Sequence, residues 1–336
     1  RITLDAFASP NPLASHSKPV FVQAIWNLFA LPHLKSLSVR SNYMERAHLL
    51  GLLDCMETYE VHLTHLDLGD NKLKGCGSLL AQLLKATTLT SLVLDRNGLT
   101  QDCCKAMFSD LEYPAQHLQN LVMGPGNFAG DYFTTEATTL SGIHHLSVAS
   151  NSVSVLQYIA PFCKSLVLNG NSLLKHFDVS ANQVQVLDLS FCKLGHSGVE
   201  NLCHQLSHFL QLEVLILNAN NMNDASCLLL ADSIQAHTAL KRLILSDNCI
   251  ELAGMKKLVD LLPPSLELLE LTGNRLTESP LVLLNKDLFS VKKSSFSVFG
   301  CNVRLDHAFG TATALLLAKQ TMNATFPSLT LVAQMN

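Results

Sequence analysis

The sequence predicts an α/β solenoid, in which one structural unit is stacked on copies of itself. Three observations carry this prediction. A phrase of the form L-x-x-L-x-L-x-x-N-x-L recurs along most of the 336 residues, most clearly over residues 63–73. Its copies follow one another at steps of 20 to 29 residues, and apolar stripes with helical spacing lie between many of them. A phrase repeated at a near-constant period indicates stacked units that together bury a continuous core.

The third apolar position of the phrase serves as a marker for each copy. Eleven markers can be assigned, and they are Val39, Leu68, Leu94, Met123, Val148, Leu168, Leu189, Leu217, Leu245, Leu271 and Val298. At least three stacked units are needed for a stable core, so eleven copies are ample.

Residues around each marker alternate between apolar and variable positions, as in Leu215-Ile216-Leu217. A period of two indicates a strand whose leucines point to one face and whose intervening residue points to the other. Asn occupies the turn after the strand in eight of the eleven copies. Its amide both donates and accepts hydrogen bonds, so stacked Asn side chains can satisfy backbone groups inside the turn. Cys192 and Cys301 take this position in two copies and Gly126 in the remaining one, where we expect an irregularity around residues 124–126.

Short amphipathic helices are predicted between the strands. Residues 75–85, 197–209 and 254–262 each carry one apolar stripe, formed in the first by Leu79, Leu80, Leu83 and Leu84. Such a stripe predicts a helix that buries one face against the core.

This pattern resembles the leucine-rich repeat superfamily over residues 30–305, and the longer copies resemble its ribonuclease-inhibitor-like subtype. The resemblance implies a curved solenoid, or horseshoe, with a parallel sheet on the concave face and mainly helices on the convex face. Between Val148 and Leu189 the steps fall to 20 and 21 residues, which leaves too little chain for a helix. We expect extended or 3₁₀ convex segments there. A competing register over residues 174–184 is assigned to this return path. These short copies are similar to those of bacterial leucine-rich effector proteins.

Three regions are predicted along the chain. Residues 1–33 form an N-terminal cap with a strand at residues 2–4 and a helix at 19–30. Residues 34–305 hold the repeats. Residues 306–336 form a C-terminal cap with a helix at 307–322 and a strand at 329–331. Caps are expected because a solenoid otherwise exposes its core at both ends. The repeat favours one elongated unit over two domains, and a chain that begins at Arg1 is expected to be a fragment or a processed product.

Composition argues against several function classes. The net charge of −4 gives no basic footprint for nucleic acid, and no polybasic run or long apolar stretch indicates a membrane. Ten singly spread cysteines are unlike a disulfide framework and suit buried free thiols in a reducing cytosol. We therefore expect a cytoplasmic monomer, or a protein secreted into the host cytosol if the chain is a bacterial effector.

No catalytic residue, metal site or cofactor is predicted. His204 and His208 share one helical face at a spacing that can hold zinc, but no suitable third ligand lies nearby, so solvent-facing histidines are favoured. Phosphate-binding, nucleophile-elbow and kinase signatures are missing from the sequence. GTPase activation, known for some proteins with this repeat type, would need clustered basic loop residues. The four candidate arginines, Arg40, Arg96, Arg242 and Arg275, fall on scattered copies.

A protein-binding surface is predicted from the residue just before each marker, which should point away from the core. Several of these residues are apolar, notably Ile216 and Ile244, and Val214 adds to them. Apolar residues with a charged rim are typical of a protein interface, although strand propensity alone could also place them there. The predicted partner-binding residues are Val93, Asp188, Val214, Ile216, Lys241, Arg242, Ile244 and Glu270. Val93 and Val122 could form a second patch.

The predicted function is a non-enzymatic module that binds a partner protein on its concave face, with effector activity in a host cell as one setting. Two alternatives remain open. The chain could be a sensor or autoinhibitory repeat segment of a larger signalling protein, or it could be a GTPase-activating regulator.

Overall fold

A computed structural model describes residues 2–4, 27, 33–86, 88–109, 117–124, 142–149, 155–156, 163–171, 176–177, 183–275 and 302–304. Contacts within the chain divide it into two compact units, residues 1–181 (unit 1) and 182–336 (unit 2). Each unit repeats the same coil, in which a three-residue strand is followed by a tight turn and, in most coils, a helix.

The strands of unit 1 form one parallel sheet in which each strand pairs with the strand of the next coil. They are β1 (Ile2–Thr3), β2 (Ser36–Ser38), β3 (His65–Asp67), β4 (Ser91–Val93), β5 (Asn120–Val122), β6 (His145–Ser147) and β8 (Ser165–Val167). The strand at residues 2–4 predicted from the sequence is confirmed as β1. The predicted cap helices and the C-terminal strand lie outside the described residues, apart from Asn27.

The strands of unit 2 are also parallel and pair in chain order. They are β10 (Val186–Asp188), β11 (Val214–Ile216), β12 (Arg242–Ile244), β13 (Leu268–Glu270) and β14 (Asn302–Arg304). In every strand from β2 to β13 of the two sheets the central residue is buried, as the alternating pattern predicts. The first and third residues of these strands point to the opposite side, which we call the open face of each unit.

Helices follow the turns and pack side by side in consecutive coils. Unit 1 has α1 (Arg46–Thr58), α2 (Gly77–Ala86) and α3 (Gln101–Ser109), and unit 2 has α4 (Gly195–Leu206), α5 (Asp224–Ile234) and α6 (Leu252–Asp260). The three helices predicted from apolar stripes are therefore confirmed as α2, α4 and α6. Their stripes are buried, for example at Leu80, Leu202 and Leu258.

The short coils contain extended segments where the others have helices. Strand β7 (Val155–Leu156) pairs in parallel with β9 (His176–Phe177) in a separate two-stranded sheet. Phe177 is the centre of the competing register, so placing that register on the return path is confirmed. A strand of only two residues spans the coil in less chain than a helix needs, which explains the shorter step.

The register predicted for the last copy is wrong. The sequence analysis took Phe296 and Val298 as its inward residues and Cys301 as its turn residue. Instead, β14 pairs Val303 with Leu269, which moves the strand seven residues along the chain. Both Phe296-Ser297-Val298 and Val303-Arg304-Leu305 alternate apolar residues, so the pattern alone does not choose between them. Of the irregularity predicted at residues 124–126, only Gly124 is described. It is buried, and a Cβ there would overlap the backbone of Ala149.

Asparagine side chains connect each coil to its neighbour. Asn248 shows the full pattern: its Nδ2 donates to the carbonyl oxygens of Leu217 and Leu245, at 3.0 Å each, and its Oδ1 accepts from the amides of Asn220 and Met222. Asn71 makes the same contacts in unit 1, to Val39 and Leu68 through Nδ2 and to Asn42 and Met44 through Oδ1. The role predicted for the repeated Asn is therefore confirmed, and we call this set of bonds the asparagine ladder.

Replacing one ladder residue should destabilise its unit strongly. Asn248→Ala removes the acceptor of two amides and the donor to the carbonyl oxygens of Leu217 and Leu245, and each buried group left without a partner costs roughly 1–3 kcal/mol. We expect the free energy of unfolding to fall by about 3 kcal/mol or more, measured by urea denaturation with circular dichroism. Asn201→Ala, at an exposed position on α4, is the matched control and should be neutral or slightly stabilising. Equal effects of the two substitutions would contradict the ladder's role.

The described cysteines are all free thiols, and seven of these nine are buried. Cys192, at a ladder position, is buried and directs its Sγ to the carbonyl oxygen of Ser190 at 3.5 Å. Burial raises the pKa of Cys104 and Cys227 to about 12 and that of Cys55 and Cys163 to about 11, above the ordinary value of 9.0. These side chains therefore stay neutral in the folded protein and act as small apolar groups.

The raised pKa values predict a loss of stability at alkaline pH. Below pH 9 the buried thiols are neutral in both states. Above it they ionise first in the unfolded chain, so unfolding is favoured increasingly until about pH 12. Each thiol contributes at most about 1.4 kcal/mol per pH unit. Cys227→Ala should make the decline in urea stability between pH 9.5 and 11 shallower. Leu230→Val, a comparable loss of volume in the same helix, should keep the original slope, and parallel slopes for all three proteins would contradict the prediction.

Candidate functional site

The open face of unit 2 carries seven of the eight predicted partner-binding residues. Strand pairing places Val214 beside Arg242, and it aligns Asp188, Ile216, Ile244 and Glu270 in one row across four strands. Val186 and Leu268 extend the apolar part of the first row, and both are half-buried like Val214 and Ile216. The eighth residue, Val93, is half-buried on the open face of unit 1, so it belongs to a different surface.

Ile244 is less accessible than the sequence analysis assumed. Only 8% of it is exposed, although its strand position points it to the open face. Ile216 and Glu270 lie on either side of it in the register, and side chains of neighbouring strands at this spacing cover one another. Ile244 therefore contributes little accessible area to the open face, whereas its half-buried neighbour Ile216 remains partly accessible.

A charged rim borders this apolar surface at both ends of the strands. Lys241 Nζ donates to Glu213 Oε2 at 2.8 Å. This hydrogen bond and the charges of Glu213 and Glu267 raise the pKa of Lys241, so the amine is fully charged at neutral pH. With Asp188 and Glu270, the rim holds four carboxylates against the two cations Lys241 and Arg242. The surface therefore has a net negative rim around an apolar centre.

Phe191 adds an aromatic side chain that sequence reasoning missed. It directly precedes the ladder position, where the backbone is left-handed in coil after coil, and its φ is 58°. This conformation suits glycine or asparagine and is unfavourable for a large aromatic residue. Yet 59% of Phe191 is exposed, so its ring gains little from packing within the chain. An exposed, strained aromatic residue beside an open face is a strong candidate for a binding anchor.

The open face of unit 1 has a different character. The first residue of each strand from β2 to β6 and of β8 is polar, and this row consists of Ser36, His65, Ser91, Asn120, His145 and Ser165. Asn120 Nδ2 donates to Ser91 Oγ at 2.8 Å, and His145 Nδ1 lies 2.8 Å from Ser165 Oγ. Burial lowers the pKa of His145, which keeps its imidazole neutral at neutral pH. Sequence reasoning missed this row because it considered only the residue before each marker, which is the third residue of each strand. The polar row is formed by the first residue of each strand, directly before the central leucine.

Arg40 connects three consecutive coils beside this row. Its Nη1 and Nη2 donate to Asp95 Oδ1 at 2.8 and 2.6 Å, and its Nε lies 3.6 Å from Asp67 Oδ2. Burial raises the pKa of Asp95, and the Arg40 guanidinium opposes this by favouring the charged form. Gly69 makes the arrangement possible, because a Cβ there would overlap both the guanidinium and the Asp95 carboxylate. Arg40 is therefore engaged within the chain by two carboxylates.

Among the described residues, no group of three or more His, Cys, Asp or Glu side chains is placed to hold a metal ion. The zinc alternative needed His204 and His208 on one helix, but α4 ends at Leu206, before His208. Within the described part of the chain, no helix has both the length and the apolar character required to cross a bilayer.

Comparison with known proteins agrees with the repeated coil. A family model described as Leucine Rich repeat matches residues 61–77, 184–203 and 236–259. These segments cover β3, β10, β12 and the turns and helices that follow them. The repeated coil of this chain is that of the leucine-rich repeat superfamily, and its helix-containing copies are of the ribonuclease-inhibitor-like type.

Two kinds of curated leucine-rich repeat protein resemble the chain. NACHT, LRR and PYD domains-containing protein 13 of Homo sapiens is 28% identical over 260 residues, which cover 69% of this chain and 24% of that protein. The ribonuclease inhibitor of Sus scrofa is 30% identical over 209 residues, covering 60% of this chain and 42% of the inhibitor. The chain thus spans less than half the length of either relative. Among solved structures, a TLR13–ssRNA13 complex shows 17% identity and a TM-score of 0.39, covering 83% of this chain and 36% of that one.

Gly69→Ala tests the Arg40 contact between the first leucine-rich repeats. The added methyl group must displace the guanidinium or the Asp95 carboxylate, and overpacking of this kind typically costs about 1–3 kcal/mol. We expect the urea midpoint to fall accordingly. In an Arg40→Ala background the same substitution should cost much less, because the main overlapping group is gone. The prediction is wrong if the cost is equal in both backgrounds.

Proposed function

We propose that this leucine-rich repeat chain binds a partner protein on the open face of unit 2. The observation that carries the proposal is the set of half-buried apolar side chains, Val186, Val214, Ile216 and Leu268, on the sheet face turned away from the core. Residues on this face contribute nothing to the buried leucine layer, so their apolar character needs another explanation. A charged rim around such a centre matches the composition of protein interfaces.

The partner should carry an apolar patch bordered by basic residues. Four carboxylates and two cations surround the apolar centre, so a basic rim on the partner completes the charge balance. Phe191, in the turn that follows β10, adds an aromatic anchor of the type that dominates binding energy in many interfaces.

Binding itself is the mechanism, with no chemical step. The strands are held by parallel pairing and by ladder bonds such as those of Asn220 and Asn248, so the surface is formed before a partner arrives. A preorganised surface loses little conformational entropy on binding, which favours affinity. The ribonuclease inhibitor of Sus scrofa, named for inhibiting another protein, supports a protein as the ligand class.

A second candidate is a repeat segment that acts within a larger protein. The relative from Homo sapiens carries NACHT and PYD domains beside its repeats, as its name states, and this chain matches only 24% of its length. In that setting the open face of unit 2 would bind another domain of the same polypeptide. The two settings differ in whether the surface is occupied in the full-length protein without an added partner.

The test is a capture experiment that compares two Lys substitutions. Ile216→Lys places a cation beside Asp188, so the fold should tolerate it, but it removes the apolar contact and repels a basic partner. We expect an affinity loss of about 30-fold or more, the size of a central interface residue. Binding is measured by surface plasmon resonance with the protein captured from cell lysate by the unaltered chain.

Leu228→Lys is the matched control, because Leu228 is 38% exposed on helix α5 of the same coil. The control should bind like the unaltered chain. If both substitutions leave the affinity unchanged, the partner does not use the open face of unit 2. If the full-length protein binds nothing until residues outside this chain are removed, the intramolecular setting is correct.

A further inference from the structure

The open face of unit 1 contains a groove of about 400 Å³ across β2, β3 and β4. Two buried leucines form part of its lining, and its other residues are Ser36, Ser38, His65, Asp67, Ser91 and Val93. Asp67 is the only carboxylate in this lining, and no Lys or Arg belongs to it. The groove thus combines one anionic group, three hydroxyl groups, an imidazole and an apolar wall.

The Asp67 carboxylate retains hydrogen-bonding capacity towards the groove. Its Oδ1 accepts from the amide of Gly69 at 2.8 Å. Its Oδ2 lies 3.6 Å from Arg40 Nε, a separation longer than a hydrogen bond, while Arg40 directs its two terminal nitrogens to Asp95. The side chain of Asp67 is 30% exposed, so a donor approaching over the open face can reach Oδ2.

We propose that this groove receives an arginine side chain of the protein partner. The inference depends on the proposed function in one respect, namely that the ligand is a protein. Charge selects a cation, because Asp67 is the only carboxylate in the lining and the one guanidinium beside it, that of Arg40, is shared with Asp95. Ser36 and Ser91 add polar side chains to the same lining. Five N–H donors in a planar fork can use several acceptors at once, whereas the lysine ammonium is a point charge.

The half-buried side chain of Val93 provides the apolar surface for the stem of the arginine. The methylene groups of an arginine stem pack on apolar surface while the guanidinium stays with polar groups. Val93 lies beside Asp67 in the register of β3 and β4, so the apolar wall and the carboxylate are adjacent. The contacts of Arg40 show that carboxylates at this end of the sheet bind a guanidinium already within the chain.

The experiment uses the full chain and a small probe, so that it needs no identified partner. Acetyl-Gly-Arg-Gly-amide is titrated into the protein and followed by the NMR signals of the His65 ring, assigned by their loss in His65→Gln. Saturable shifts are expected for the arginine peptide, weaker ones for the lysine peptide and none for the citrulline peptide, which keeps the shape but lacks the charge. Equal affinity for arginine and citrulline, or no saturable shift for any probe, overturns the proposal.

Two substitutions should act in opposite directions. Asp67→Asn removes the anionic acceptor and should weaken arginine binding about tenfold, the usual size of one hydrogen bond to a charged group. Arg40→Gln removes the competing guanidinium next to Asp67 and should strengthen binding. A purely structural role for this cluster predicts weaker binding in both variants, which would overturn the proposal.

Two further variants complete the design. Asp54→Asn removes a carboxylate from the exposed side of α1 in the same unit and should leave binding unchanged. If Asp67→Asn does not fold, Val93→Lys brings a cation into the groove and should abolish binding, and unchanged binding in it overturns the proposal. Ile216→Lys should not affect the probe, so a failure of this inference and a failure of the unit 2 interface give different results.

Discussion

The asparagine ladder is the constraint on which the rest of the structure depends. Each coil must reverse direction within a few buried residues, and a buried turn leaves amide and carbonyl groups that water cannot reach. One Asn side chain satisfies groups from its own coil and from the coil before it, as Asn71 and Asn248 show. Hydrogen bonding within the turn and stacking of coils are therefore achieved by the same residue. It acts together with strand pairing to fix the leucines of each coil relative to the next coil.

Because the asparagine ladder serves both the turns and the stacking of coils, the open faces remain available for binding. The inward leucines and the ladder residues account for the core, and the helices cover its other side, so strand residues on the open face are released from packing. Unit 1 uses them for a polar row and a groove with a single carboxylate. Unit 2 uses them for an apolar centre with a charged rim. The same backbone thus presents two chemically different surfaces, and the difference lies entirely in the first and third residues of each strand.

Sequence reasoning predicted the coil well because several independent patterns indicate the same strand register. Leucine spacing, alternation and the recurring Asn all indicate one register, and ten strands from β2 to β13 of the two sheets follow it. It failed at β14, where two alternating segments compete and no Asn decides between them. It succeeded in the short coils, because a step of 20 residues cannot contain a helix. Among the predicted surface residues, Ile244 points outward but is covered by its neighbours, and only coordinates reveal such crowding.

The contacts missed from sequence were those between side chains of non-adjacent coils. Arg40 reaches Asp95, which lies 55 positions further along the chain, over Gly69 in the coil between them. In a repeat protein each coil ordinarily interacts with its nearest neighbours only, so terminal coils can fray one at a time. The Arg40 contact makes this harder for the coil of β2, because opening that coil also breaks a bond held by the coil of β4. The coils of β2, β3 and β4 should therefore open more cooperatively than coils held only by their neighbours.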